Sequence, residues 1–85
     1  MRILTTDGHI FDKDKATLIL GVNGGYQEYY KTEFGTLICY QEEPFPTAKE
    51  ISDSTMLEAI QQYIDGAKAY NALVALGWDK DIETI

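Results

Sequence analysis

The sequence predicts an α+β fold: an antiparallel β-sheet of about four strands, built from hairpins, followed by a C-terminal helix or two short helices packed on one face. Three observations predict it. In the first half, the turn-forming stretches Asp7-Gly8, Asn23-Gly24-Gly25 and Glu33-Phe34-Gly35 separate short runs rich in β-branched and aromatic residues. From Thr55 onward the apolar residues recur every three to four positions. The chain has 85 residues, 45% of them apolar, which suffices for one core only, so the two halves must bury against each other.

Asp7-Gly8 lies between Ile3–Thr6 and His9–Phe11. An Asp-Gly pair suits a type I′ turn, which needs positive φ at both central residues, and that register sets Thr6 opposite His9 and Leu4 opposite Phe11. The run Ala16–Val22 is expected to be a central buried strand with Ala16, Leu18, Leu20 and Val22 on one side. Asn23-Gly24-Gly25 tolerates left-handed backbone and turns the chain into a strand over Tyr26–Thr32. Glu33-Phe34-Gly35 closes a third hairpin, with Gly35 free to take the left-handed position, and Thr36–Tyr40 returns. Pro44 and Pro46 lack ladder donors, so the sheet is expected to end before them.

In the C-terminal part, Met56, Ile60, Tyr63, Ile64, Ala67, Tyr70 and Val74 form one apolar stripe. Thr55 to Glu58 fits a capping box, and Gly77 is a natural stop. Gly66 costs about 1 kcal/mol inside a helix, which leaves open one helix or two that meet at Asp65-Gly66. Trp78 is expected to anchor the helix end on the sheet. The single domain, 1–85, thus divides into sheet 1–41, a Pro-containing loop 42–53, a helical region 54–78 and an acidic tail 79–85.

Fourteen Asp and Glu against seven Lys and Arg give a net charge of -7, and Arg2 is the one arginine. That balance argues against direct nucleic-acid binding, which needs a basic footprint. The acids run from Asp7 to Glu83 along the chain, too dispersed for a duplex-mimicking face. With no 18-residue apolar run, and an N-terminus that turns polar within a few residues, a cytoplasmic protein without membrane attachment is expected.

The residues of reactive chemistry are few. Cys39 is the one cysteine, so neither an intramolecular disulfide nor a cysteine-based zinc site can form within the chain. Asp7, Asp12 and Asp14 miss the spacing of a calcium loop and read as a solvated turn. Glu42 and Glu43 adjoin a Pro-rich loop that should be wet, which removes the burial that would poise one as an acid. A Cys39–His9 nucleophile–base pair competes with a buried Cys39 beside Leu37. The glycines near Val22 join strand to strand and offer no helix N-terminus to a phosphate. No cofactor, no metal and no enzymatic activity are implied. The tyrosines carry two readings: Tyr29 and Tyr30 must point to opposite faces, so either cross-strand packing or an exposed binding patch follows.

Two stretches carry a resemblance. Thr6–Asp12 running into Lys15–Ile19, followed by Tyr30–Tyr40, resembles small uncharacterised proteins of phages and mobile elements, with a TxDGxxFD…KATLI…YKTxxGxxxxY pattern. The longer Gly-rich insert usual after the hairpin in that group is missing here, and Met56–Ala59 stands where runs of Glu are more usual. What the resemblance implies is an anti-CRISPR-like inhibitor that binds a basic surface of a host nucleic-acid-binding or defence protein in the host cytoplasm. The partner-binding residues on that reading are Glu28, Tyr29, Glu33, Tyr40, Glu42 and Glu43. The alternatives are a self-associating structural or regulatory protein, dimerising through a tyrosine-bearing strand edge or through Leu73, Leu76 and Trp78, and a ligand-binding protein or small enzyme. A deep pocket lined by His9 or Cys39 with perturbed titration would revive the last.

Overall fold

The computed structural model describes residues 1–22 and 26–85; the turn expected at Asn23-Gly24-Gly25 lies outside the described residues, as does the facing of the Val22 side chain. The chain runs β1 (Arg2–Leu4), β2 (Ile10–Asp12), a 3-10 turn (Lys13–Lys15), β3 (Thr17–Val22), β4 (Gln27–Lys31), β5 (Leu37–Gln41), β6 (Thr47–Ile51), α1 (Asp53–Gln61), α2 (Gly66–Leu76) and a closing 3-10 turn (Asp79–Asp81). Strands β3 to β6 form a four-stranded antiparallel meander, and β1–β2 pair as a separate hairpin. This is the α+β architecture the sequence predicts.

Alternation along β5 explains the layering. Leu37 points to the helix side, where it joins Ile19, Leu20, Met56, Ile60, Ala72 and Leu76. Ile38 and Tyr40 point the other way and meet Phe11, Tyr30 and Ala48. The sheet is therefore covered on both faces, by helices on one and by the β1–β2 hairpin on the other. The hairpin is tied to the rim of the sheet by a parallel bridge between Thr5 and Ala48, with the Thr6 amide donating to the Ala48 carbonyl at 3.0 Å.

Five expectations are corrected. The sheet does not end at Pro44-Phe45-Pro46: those residues form the connection, and the chain returns as β6 inside the segment 42–53 expected to be loop. Only the two prolines lack donors, and Thr47–Ile51 beyond them is free to pair, with Ala48 directed inward. The first hairpin pairs Leu4 with Ile10 and Ile3 with Phe11, one residue away from the expected register. Its loop runs from Thr5 to His9, closed by the Thr5 amide on the His9 carbonyl at 2.7 Å, and the shift turns Phe11 inward and Ile10 outward.

Strand β3 lies at an edge, and the expected one-sided row fails there. The pairing with β4 shifts between Leu18 and Leu20, so the bulge brings both Ile19 and Leu20 into the core and leaves Leu18 half exposed. Next, the helical region starts earlier, at Asp53. Ser52 caps α1 by accepting from the Thr55 amide, which makes Thr55 a first-turn residue rather than the cap.

The single apolar stripe expected from Met56 to Val74 also fails: the break before Gly66 resets the helical phase, so α1 buries Met56 and Ile60, α2 buries Ala72 and Leu76, and Ile64, Tyr70 and Val74 are exposed. The other expectations for the second half agree with the structure. Two helices form, divided before Gly66, where Asp65 Oδ1 accepts from the Ala67 and Lys68 amides and caps α2. Gly77 ends α2 in the left-handed conformation at φ 78°. Trp78 packs against the helix-side core. At the β4–β5 turn Gly35 has φ 86°, as a three-residue loop of this kind requires. Among the described residues no helix is long and apolar enough to cross a membrane.

Candidate functional site

A cavity of about 430 Å³ opens between the β1–β2 hairpin and the β4–β5 turn. Its apolar lining comes from Phe11 and Ile38, both core residues, and from Ile10 and Phe34, which are 74% and 88% exposed. The polar part is a short chain of hydrogen bonds that clamps the hairpin loop to β6. The His9 amide donates to Thr5 Oγ1 at 3.0 Å, and Thr5 Oγ1 donates to Glu50 Oε2 at 3.1 Å. His9 Nδ1 lies 2.5 Å from the same Oε2. A carboxylate only accepts, so Nδ1 carries the hydrogen. Asp12, Lys15 and Glu33 complete the charged lining.

The clamp shifts both titrations. The hydrogen bond to Glu50, then its charge, holds His9 above its ordinary value of 6.5, and the His9 hydrogen bond holds Glu50 below its ordinary 4.5. A raised His9 stabilises the fold fully below about pH 6.5, and that contribution fades as pH rises through the folded-state value. A lowered Glu50 stabilises above about pH 4.5, and loses its effect as pH falls through its folded-state value. The pair therefore contributes most between about pH 4.5 and 6.5. Wild type minus Glu50→Gln, compared by thermal unfolding, should show its largest Tm gap near pH 5.5 and a smaller one near pH 8.5. An equal gap at both would show that the two side chains are not bonded in solution.

The residues singled out in the sequence divide between structural and exposed positions. Glu28 faces Tyr40 across β4 and β5, accepts from the Tyr30 hydroxyl at 3.0 Å and pairs with Lys13 Nζ at 3.3 Å. Glu42 accepts from the Tyr40 hydroxyl. Glu28, Tyr40 and Glu42 are thus brought together, with Lys13 lying 4.7 Å over the Tyr40 ring. Tyr40 itself is 1% exposed, which removes it from any binding surface. Burial and then the Glu42 bond push its hydroxyl up to about 12, so it stays a neutral donor. Tyr29 is half-buried on the opposite face, packed against the helix-side core. Glu33 lines the cavity, whereas exposed Glu43 lies in the β5–β6 connection, apart from it.

The dimer surfaces expected from the sequence are likewise occupied. Tyrosine-bearing β4 and β5 are interior strands, and Leu76 is buried while Leu73 and Trp78 pack beside it. Cys39 lies on the face of Leu37 and is half-buried, with Gln27 Nε2 donating to its Sγ at 3.1 Å. It lines a second cavity, so His9 and Cys39 do not form a pair. Among the described residues no cluster of His, Cys, Asp and Glu could hold a metal ion.

Sequence reasoning missed Thr5, Ile10, Phe34 and Glu50. A signal existed for Phe34, since a phenylalanine at the apex of a three-residue turn has no core within reach. None existed for Glu50, which lies in a segment read as loop. The chain matches no family model, no curated protein and no solved structure.

Proposed function

We propose that this chain is a non-enzymatic, acidic protein-binding inhibitor that docks on a basic surface of a host nucleic-acid-binding or defence protein. One observation carries the reading: an exposed apolar patch with an acidic rim. Leu4 and Ile10, 69% and 74% exposed, face each other across the hairpin, and Ile10 shares the cavity with Phe34. Glu33 lies beside Phe34, and Asp7 at the tip of the hairpin. An apolar centre within a charged rim is how protein interfaces are built, and exposed apolar clusters of this kind mark interaction sites.

Charge supports the same reading. Of the fourteen acids, Asp12, Asp14, Glu28 and Glu50 are in ion pairs, and the other ten have none among the described residues. That excess would steer the protein to a basic partner and make association salt-dependent. The resemblance of 6–12, 15–19 and 30–40 to phage and mobile-element proteins points to a host target.

The test is capture from host lysate by wild type, Ile10→Asp and Glu33→Lys, washed at low and moderate salt. One basic nucleic-acid-binding protein held by wild type, weakened by salt and reduced about tenfold or more by Ile10→Asp, supports the reading. Equal capture by all three variants would overturn it. A second reading, self-association, rests on β3: its outer edge is unpaired among the described residues and carries half-exposed Leu18. A dimer in solution that Leu18→Lys dissociates would favour it.

A further inference from the structure

We infer that the cavity between the hairpin and the β4–β5 turn receives an arginine side chain of the protein partner, with Glu50 as its anchor. The inference rests on the proposed protein-binding role and names the chemistry at the centre of that interface. Three features define the occupant. First, Glu50 is held in place but only half used: both the Thr5 and the His9 bonds fall on Oε2, and Oε1 has no protein partner among the described residues. Glu50 is 24% exposed, so the free oxygen keeps partial contact with the cavity while its carboxylate is already fixed in position.

Second, the walls are apolar and one is an exposed aromatic. Phe11 and Ile38 can cover the methylene stem of a long side chain, and exposed Phe34 adds an aromatic ring to the lining. Third, the charge is of the right sign. Asp12, Glu33 and Glu50 line the cavity against Lys15 and His9, which leaves an excess of negative charge whichever state His9 is in. A long apolar stem ending in a cation is what such a site complements. Between the two basic side chains, the planar guanidinium is favoured, because it stacks on an aromatic ring and donates in a fork to a carboxylate.

Lys15 opposes the occupant and gives the inference a distinctive signature. Removing its charge should strengthen binding, whereas in a site for an anion it would weaken it.

The experiment is a titration of isotopically labelled protein with N-acetyl-argininamide, followed by amide chemical shifts, with N-acetyl-citrullinamide as the uncharged probe of the same length. Saturable shifts at Phe11, Ile38 and Glu50 with the arginine probe alone are expected. Glu50→Gln should weaken the affinity about tenfold or more, and Lys15→Gln should raise it. Phe34→Ala, at a surface position that cannot threaten folding, should weaken it several-fold. Shifts absent from the cavity, equal for both probes, or unchanged in Glu50→Gln and Phe34→Ala would overturn the arginine site. The two levels separate cleanly. Lysate capture that depends on Ile10 while the arginine probe is ignored leaves the inhibitor reading standing and removes this one; cavity shifts without any captured protein remove the inhibitor reading, and with it the partner's arginine, and leave only a cavity that accepts a free guanidinium.

Discussion

Replacing Tyr40 with alanine is expected to lower the unfolding free energy by about 3–5 kcal/mol, the range for deleting a buried aromatic ring. The ring is 1% exposed and lies 6.2 Å from Phe11 and 6.3 Å from Tyr30, so its removal opens the hairpin-side core at its centre. Aromatic pairs at such separations add about 0.5–1.5 kcal/mol beyond the area they bury. Lys13 also loses the ring beneath it, keeping only Glu28. A domain of this size has a total stability of roughly 4–13 kcal/mol, so the variant should lose a large share of it, with Tm lower by on the order of 20 °C. Tyr40→Phe separates ring from hydroxyl. It removes only the bond to exposed Glu42, and about 1 kcal/mol is expected because solvent screens that carboxylate. Denaturant unfolding of both variants checks the pair of values. Similar losses in both would mean that the hydroxyl bond to Glu42, not the ring packing against Phe11 and Tyr30, carries the contribution of Tyr40.

The contrast between the two faces of β5 also shows where the sequence was informative. Local rules worked wherever one residue dictates backbone geometry: Gly35 and Gly77 take left-handed conformations at the positions expected of them, and Gly66 divides the helices. They failed where tertiary contacts chose among local alternatives. Thr-Ala-Lys-Glu-Ile follows two prolines and has only Ala48 and Ile51 as apolar residues, on opposite faces, so its own composition marks it weakly as β6; it pairs because β5 offers an open edge. The first hairpin slipped by one residue because Phe11, rather than Ile10, fills the space against Tyr30, at a ring separation of 5.6 Å. Both faults fell on the candidate site. Glu50 sits on the unpredicted strand, and Ile10 is exposed only in the shifted register. Glu28 and Tyr40 were found by sequence as chemically distinctive residues, yet their pairing across β4 and β5 makes them structural.

Met56→Ala is the corresponding change on the helix side, and a loss of about 2–5 kcal/mol is expected. Met56 is fully buried, and Ile60 one turn later is buried with it; these two side chains hold α1 to the sheet. Nine residues are too few for a helix to persist alone in water, so α1 depends on that contact. Glu58→Ala, on the exposed face of the same helix, should stay within about 0.5 kcal/mol and controls for helix propensity. Trp78, the one tryptophan, packs against the cluster that contains Met56, so its fluorescence reports the helix layer, whereas far-ultraviolet circular dichroism reports the sheet and helices together. Because Leu37 and Ile38 are neighbours on β5 and serve opposite cores, the two layers share a backbone and should unfold as one unit. Coincident transitions by both probes are therefore expected in Met56→Ala as in wild type. A tryptophan transition that precedes the dichroism change would show the helices detaching from a sheet that the hairpin alone can hold.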